Sequence, residues 1–488
     1  MATVEHHRVV VIGAGFAGIG LGVQLRRRGI EDFVICERNQ ELGGTWFEHT
    51  YPGCGCDVPT HLYSYSFARN PNWTRLFPKQ REILDYLKAI AGQHGVTSDI
   101  RLGTEIERCR WDEGSRHWCL DTTAGEVSCD VLVSAIGATG EPDEPDVPGL
   151  AEFSGHRFHS ARWDWEHDLS GERVGVIGTG PSAAQFVPKI RRQVERLTVF
   201  QRTPPWVLPH FDRPLFDAER LLYRLVPQAQ ELQRQLFFAM YEACGVGFRG
   251  RTELIAPIET LGRRHLRRQV ADPVLREKLM PRYRFGCKRP ILSNSYYPAL
   301  ASDNVAVVTE PILRADRGGL ITADGKRHEL DTLITAIGYR YNRSLTAFRI
   351  TGSAGRTLGE VWDRSPRAYL GTTVPGFPNF FILLGPNSIG INSVIYSLES
   401  QIAYVIDALR RMDREGVRRV ELRPEALASF IGECDRRSAG SVWTDGGCKA
   451  YYTDDAGRNF ALYPGFVSEY RRRTRRFDPR HYVLERAA

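Results

Sequence analysis

The chain has 488 residues, with 42 % apolar and 25 % charged side chains, enough to bury two or three cores. Its formal charge is +7, carried by 58 Arg and only seven Lys, yet no basic arm or nucleic-acid motif stands out, so a nucleic-acid partner is not expected. No stretch reaches the ~20 apolar residues of a bilayer span, the ten cysteines are scattered without a CxxC pair, and both point to a cytoplasmic protein with reduced thiols and no metal site.

In chain order, Val9–Ile12 is a β-branched run that reads as a buried strand. It feeds Gly13-Ala14-Gly15-Phe16-Ala17-Gly18, an amphipathic segment to Gly29, and a second strand, Phe33–Cys36, that ends at Glu37 and Arg38. The order strand, glycine loop, helix, strand, acid is a dinucleotide-binding βαβ unit. Gly13 makes the tight turn, Gly15 admits a pyrophosphate, Gly18 lets helix and strand touch, and Glu37, 19 residues on, accepts hydrogen bonds from a ribose diol. The apolar run at 9–23 has signal-like hydrophobicity but no cleavage site, and the glycine spacing explains it better.

The pattern recurs at Val174–Ile177 and Gly178-Thr179-Gly180-Pro181-Ser182-Ala183, followed by a helix to about Arg192 and a strand, Leu197–Phe200. This second strand ends in Gln201-Arg202-Thr203, with no ribose-binding acid. A carboxylate would repel a 2′-phosphate, whereas Arg202 would pair with it and Thr203 would donate to it, so the second nucleotide is expected to be NADP(H). The expected fold is α/β with two Rossmann-like domains, for FAD and NADP. Residues 1–140 would form the first part of the FAD domain, 141–170 a linker, 171–210 and 286–380 the NADP domain, 211–285 a helical insertion, and 381–488 the chain's return to the FAD domain.

Two gapped patterns then narrow the choice. GGTWFEHTYPGCGCD at 43–57 fits GGxWxxxxYPGxxxD, and FSGHRFHSARWD at 153–164 fits FxGxxxHxxxW(P/D). Together with GTGPSAAQ, QRTPPWVLP, GCKRP, YYPAL and SVWTDGGCKAYY, they make nearly the whole chain resemble the type I flavin-dependent Baeyer–Villiger monooxygenases. Trp163 tilts the resemblance away from the related monooxygenases of nitrogen and sulfur, which usually carry Tyr or Phe there. No additional N-terminal domain of the kind some members carry is expected.

The resemblance implies that NADPH reduces FAD, that O2 then gives a C4a-peroxyflavin, and that its anion attacks a ketone to yield an ester or lactone. It assigns Arg289 as the catalytic cation and Asp57 as the carboxylate that positions it. Gly44, Thr45, Trp46 and Tyr63 would line the flavin, Gln185 would sit in the NADP motif, Lys288 would join Arg202 at the 2′-phosphate, and Trp443 would contact the NADP ribose. His159 and Trp163 would couple domain orientation to catalysis. A loop opening at Asn387–Ser388 varies among such enzymes and bears on substrate choice. The same peroxyflavin acting on sulfides or amines is the nearest alternative reading. A non-oxygenating reductase or sensor is the other; Cys54 and Cys56 cannot supply the CxxxxC pair of a disulfide reductase. Oligomeric state is left open by the sequence.

Overall fold

In a computed structural model that describes residues 4–339, 349–363 and 365–486, the first glycine loop joins β1 (Glu5–Ile12) to α1 (Phe16–Arg27), and β2 (Phe33–Cys36) returns beside β1 in parallel. Val9, Val10 and Val11 are completely buried, because helices cover both faces of a parallel sheet and strands there need apolar residues on each side. Helix α1 buries nine of its twelve residues, four of them Gly or Ala. A β-carbon at Gly20 would come within 2.9 Å of the Tyr65 ring, so small residues let this helix sink into the core. The short α2 (Thr45–Glu48) and α3 (Gln80–Gln93) follow, then β3 (Ile100–Arg101) and the antiparallel run β4 (Ile106–Asp112), β5 (His117–Thr122) and β6 (Gly125–Ser134). Strand β6 lies parallel to β1 on the side opposite β2.

A second parallel sheet starts at β7 (His156–His159) and continues with β8 (Arg173–Ile177), α4 (Pro181–Ile190) and β9 (Arg196–Phe200). The stretch read as linker therefore contains an edge strand. Four consecutive residues, His156 to His159, pair in register with Thr332 to Thr335, and the linker's slack is lost to a ladder of backbone hydrogen bonds. Residues 217–278 are helical: α5 (Asp217–Leu225), α6 (Pro227–Phe248), α7 (Ala256–Gln269) and α8 (Pro273–Lys278). Strands β10 (Val305–Val308) and β11 (Thr332–Thr335) complete the sheet in the order β10-β9-β8-β11-β7.

The chain re-enters the first sheet earlier than its composition suggests. Strand β12 (Arg349–Thr351) pairs with β4, about thirty residues before the boundary expected at 381. A three-residue strand flanked by turns leaves too short a periodic signal to read. Strand β13 (Phe380–Ile382) then joins β6, and α9 (Val394–Glu415) packs its long apolar face on α1. Asn387, where a variable loop is expected to open, is fully buried, with its amide donating to the carbonyls of Asn459 and Leu462. No described helix is long and apolar enough to cross a membrane.

Candidate active site

The first loop is shaped for close backbone approach. Gly13 has φ +101°, a conformation that favours glycine, and a β-carbon at Gly18 would lie 1.9 Å from the Gly13 carbonyl. Gly15 faces Gly44, where a β-carbon would stand 3.1 Å from the Gly15 Cα, so the two glycines form a channel that any side chain would narrow. No side chain caps α1 at Gly15, which leaves the amides around Phe16 and Ala17 for an anion. Buried Glu37 accepts from the Ala14 amide at 2.8 Å and from the backbone and side chain of Asn39, each at 2.9 Å, and is fixed at the end of β2. Arg38 is bound to Glu48 at 2.8 Å, and the Thr45 hydroxyl lies 2.7 Å from that of Thr139. Trp46 donates its indole N–H to the Tyr63 hydroxyl at 3.1 Å, and Phe16 packs edge-on against Tyr63. These residues fit a bound flavin dinucleotide.

The second loop repeats the device. Gly178 has φ +114°, and a β-carbon there would lie 2.3 Å from the Ala336 carbonyl. Gly180 starts α4 with Pro181 in its first turn, again without a side-chain cap, and Ser182 and Ala183 follow in that turn. The Thr179 hydroxyl donates to the Thr203 carbonyl at 3.3 Å, which ties the loop to the end of β9. Arg202 lies close enough to Lys288 to lower its pKa, an effect added to that of burial. Among the described residues neither cation has a carboxylate partner, and Lys288 lies over the Tyr283 ring at 5.5 Å. Two like charges held near each other suit a phosphate group.

Asp57 and Arg289, 232 residues apart, meet in a bidentate pair: Arg289 Nε to Oδ2 at 2.8 Å and a terminal nitrogen to Oδ1 at 2.5 Å. Burial alone would raise the Asp57 pKa; the charge of Arg289 and its hydrogen bonds outweigh that and hold it below the ordinary carboxylate value. Asp57 in turn raises the pKa of Arg289, so both stay ionised. Arg289 is placed by a two-residue ladder in which Ile291 and Leu292 pair with Val207 and Leu208. The pair is reached by groups the sequence did not signal: Tyr241 of the helical insertion and His210 near Asp57, and Tyr451 and Tyr452 near Arg289.

One expectation is corrected here. Cys287, two residues before Arg289, is joined to Cys448 by a disulfide across 161 residues, so these two of the ten cysteines are not free thiols. No local spacing could reveal it, because folding alone brings the two motifs together. The remaining eight are free.

The residues expected to couple the two domains lie along a chain of contacts. His49 donates from Nδ1 to the Thr45 carbonyl at 2.7 Å, so its Nε2 accepts from the Tyr339 hydroxyl. The Tyr339 ring stands edge-on to His159, 5.9 Å away. His159 Nδ1 accepts from the Ala161 amide at 3.0 Å, and its Nε2 is buried. Burial, with His49 and Arg162 nearby, pushes the His159 pKa down to about 4. Trp163 packs on Phe158 and on Phe186 of α4. Trp443 is 3 % exposed, within an apolar cluster that includes Trp206, Phe285 and Cys287, and so is part of the core. Gln185 reaches across to the loop that carries Asp57.

Comparison with known proteins agrees with this geometry. Residues 10–215 match the family model described as pyridine nucleotide-disulphide oxidoreductase. A Baeyer–Villiger monooxygenase of Streptomyces coelicolor is 44 % identical over 99 % of this chain and 94 % of its own. Another, from Pseudomonas aeruginosa, is 41 % identical over 99 % and 92 %. Among solved structures, an oxidised steroid monooxygenase bound to NADP superposes with a TM-score of 0.87 at 30 % identity, covering 99 % of this chain and 100 % of that one. OTEMO in complex with FAD and NADP superposes with a TM-score of 0.89 at 26 % identity and the same coverage. The protein uses FAD and NADP(H). With full-length relatives at this level of identity, the chain belongs to the Baeyer–Villiger monooxygenase family.

Proposed function

We propose that the protein inserts one oxygen atom of O2 next to the carbonyl of a small-molecule ketone, with Arg289 as the catalytic cation and Asp57 as its positioning residue. Ketone, O2, NADPH and a proton give ester or lactone, NADP+ and water. Bound FAD supplies the oxygen chemistry after taking a hydride from NADPH. The observation that carries the reading is the bidentate Asp57–Arg289 pair. A guanidinium offers several donors in a rigid plane and keeps its charge at any working pH. With Nε and one terminal nitrogen anchored by Asp57, the remaining donors are oriented toward the negative charge that develops on the ketone oxygen. Gln185 and Tyr51 brace the Asp57 loop. The soluble cell interior, where NADPH is supplied, is the proposed location.

The reading is tested by turnover under 18O2 with NADPH and separate panels of ketones and sulfides. One 18O atom in an ester, with NADPH consumed in equal amount, supports it. Sulfoxide formation with no ester from any ketone would move the enzyme to heteroatom oxygenation. Peroxide as the only product with both panels would leave a reductase or oxidase.

A further inference from the structure

Strand register assembles a second cluster of titratable groups in the first sheet. In the β1–β6 pairing His6 stands opposite Ser128, and in the β5–β6 pairing Trp118 stands opposite Cys129, which sets His117 opposite Asp130. Side chains two apart on one strand share a face, so His6, His117, Ser128 and Asp130 all project from the same side. The His6 Nε2 lies 3.4 Å from Asp130 Oδ1 and the His117 Nε2 3.1 Å from the same oxygen, and all three atoms are within 4.8 Å of one another. His6 lies six residues before the end of β1, about 20 Å along the strand from the glycine loop. The cluster is therefore no part of the site described above.

We propose that His6, His117 and Asp130 bind a divalent cation of the zinc class. Two imidazole nitrogens and a carboxylate oxygen are a ligand set of that class, whereas calcium and magnesium prefer oxygen alone. Metal–ligand bonds of 2.0–2.1 Å in a tetrahedron put ligand atoms roughly 3.3–3.4 Å apart, close to the two separations from Asp130. Both Nε2 atoms turn toward the same carboxylate oxygen, Asp130 Oδ1, so the three ligand atoms converge. The outer contacts suit the same arrangement. Ser128 Oγ lies 3.0 Å from the other ring nitrogen of His6, and Arg8 donates to Asp130 Oδ2 at 3.0 Å, so Oδ1 is the oxygen that faces the imidazoles. Three protein ligands leave the fourth position to water, and the ion would tie β1, β5 and β6 together at their solvent-facing end.

The test uses untagged, FAD-loaded, full-length enzyme dialysed against micromolar Zn2+, followed by metal analysis and thermal melting. Expected is one Zn2+ per chain above the content of the His6→Gln/His117→Gln double variant, with a rise in Tm on zinc addition that the double variant lacks. The single variant His117→Gln, at a half-exposed position, should weaken binding at least tenfold while FAD content and turnover stay unchanged. Failure of the wild type to bind, or equal binding by wild type and both variants (as zinc held by the free cysteines would give), overturns the proposal.

Discussion

Gln185 clasps the backbone of Gly55 with both ends of its amide: Oε1 accepts from the Gly55 N–H at 3.2 Å and Nε2 donates to the Gly55 carbonyl at 3.0 Å. The same Oε1 accepts from the Tyr51 hydroxyl at 3.1 Å. A residue of the NADP-side helix α4 thus holds the loop that ends in Asp57. Gln185→Leu should remove three hydrogen bonds worth ~1 kcal/mol each and leave the Gly55 peptide unpaired. Expected are a lower Tm and a fall in kcat with FAD content unchanged. Unaltered kcat would show that the clasp is structural only.

Arg289→Lys keeps a positive charge but loses the planar fork that matches Asp57. Product formation should drop by about 10²–10³-fold, the usual cost of removing one well-placed oxyanion donor. Asp57→Asn should cost less, because the guanidinium remains but loses its anchor. Ester formed per NADPH consumed is the measurement.

Arg202→Ala and Lys288→Ala should each raise the KM for NADPH by roughly 10–100-fold, the range of a lost charge-assisted hydrogen bond. The KM for NADH should barely move, because it lacks the 2′-phosphate. An equal rise for both nucleotides would place these cations elsewhere on the cofactor.

Gly18→Ala would push a methyl group to 1.9 Å from the Gly13 carbonyl, where only backbone movement can make room. The variant should purify with little or no yellow flavin, as read by the absorbance ratio of flavin to protein.

His61 is buried with both ring nitrogens unpartnered, and burial pushes its pKa down to about 4. His159 is depressed to about the same value. Unfolded histidine titrates near 6.5, so between pH ~6.5 and ~4 the unfolded chain binds more protons than the native one. Stability therefore falls as pH is lowered through this window and is fully present above it. For His61 the loss reaches on the order of 3 kcal/mol at the acid end. His61→Phe should flatten the fall of Tm between pH 6.5 and 4.5 relative to wild type.

Features encoded by local spacing were legible in the sequence. Gly13, Gly15, Gly18 and Glu37 sit within one βαβ unit, whereas the pairing of Asp57 with Arg289 was implied by the family resemblance of their two motifs. Features set by register or long-range packing were not. Nothing near Cys287 identifies Cys448 as its partner, and His6 and His117 meet only because β6 runs between their strands. The strand at His156–His159 was hidden because its partner lies more than 170 residues downstream. Trp443 shows the converse: its motif suggests a nucleotide contact, while packing leaves the ring in the core.

Seen as a polymer, the enzyme is a ring with two tails. The bond between Cys287 and Cys448 closes 161 residues into a loop that holds β10 and β11 of one sheet and β12 and β13 of the other. The unfolded chain cannot let these segments drift freely, and by the loop-entropy relation a closure of that length disfavours the unfolded state by about 5 kcal/mol. The ring is fastened two residues from Arg289, so a thiol reductant that opens it reaches the tether of the proposed catalytic cation and the connectivity of both sheets in a single chemical step.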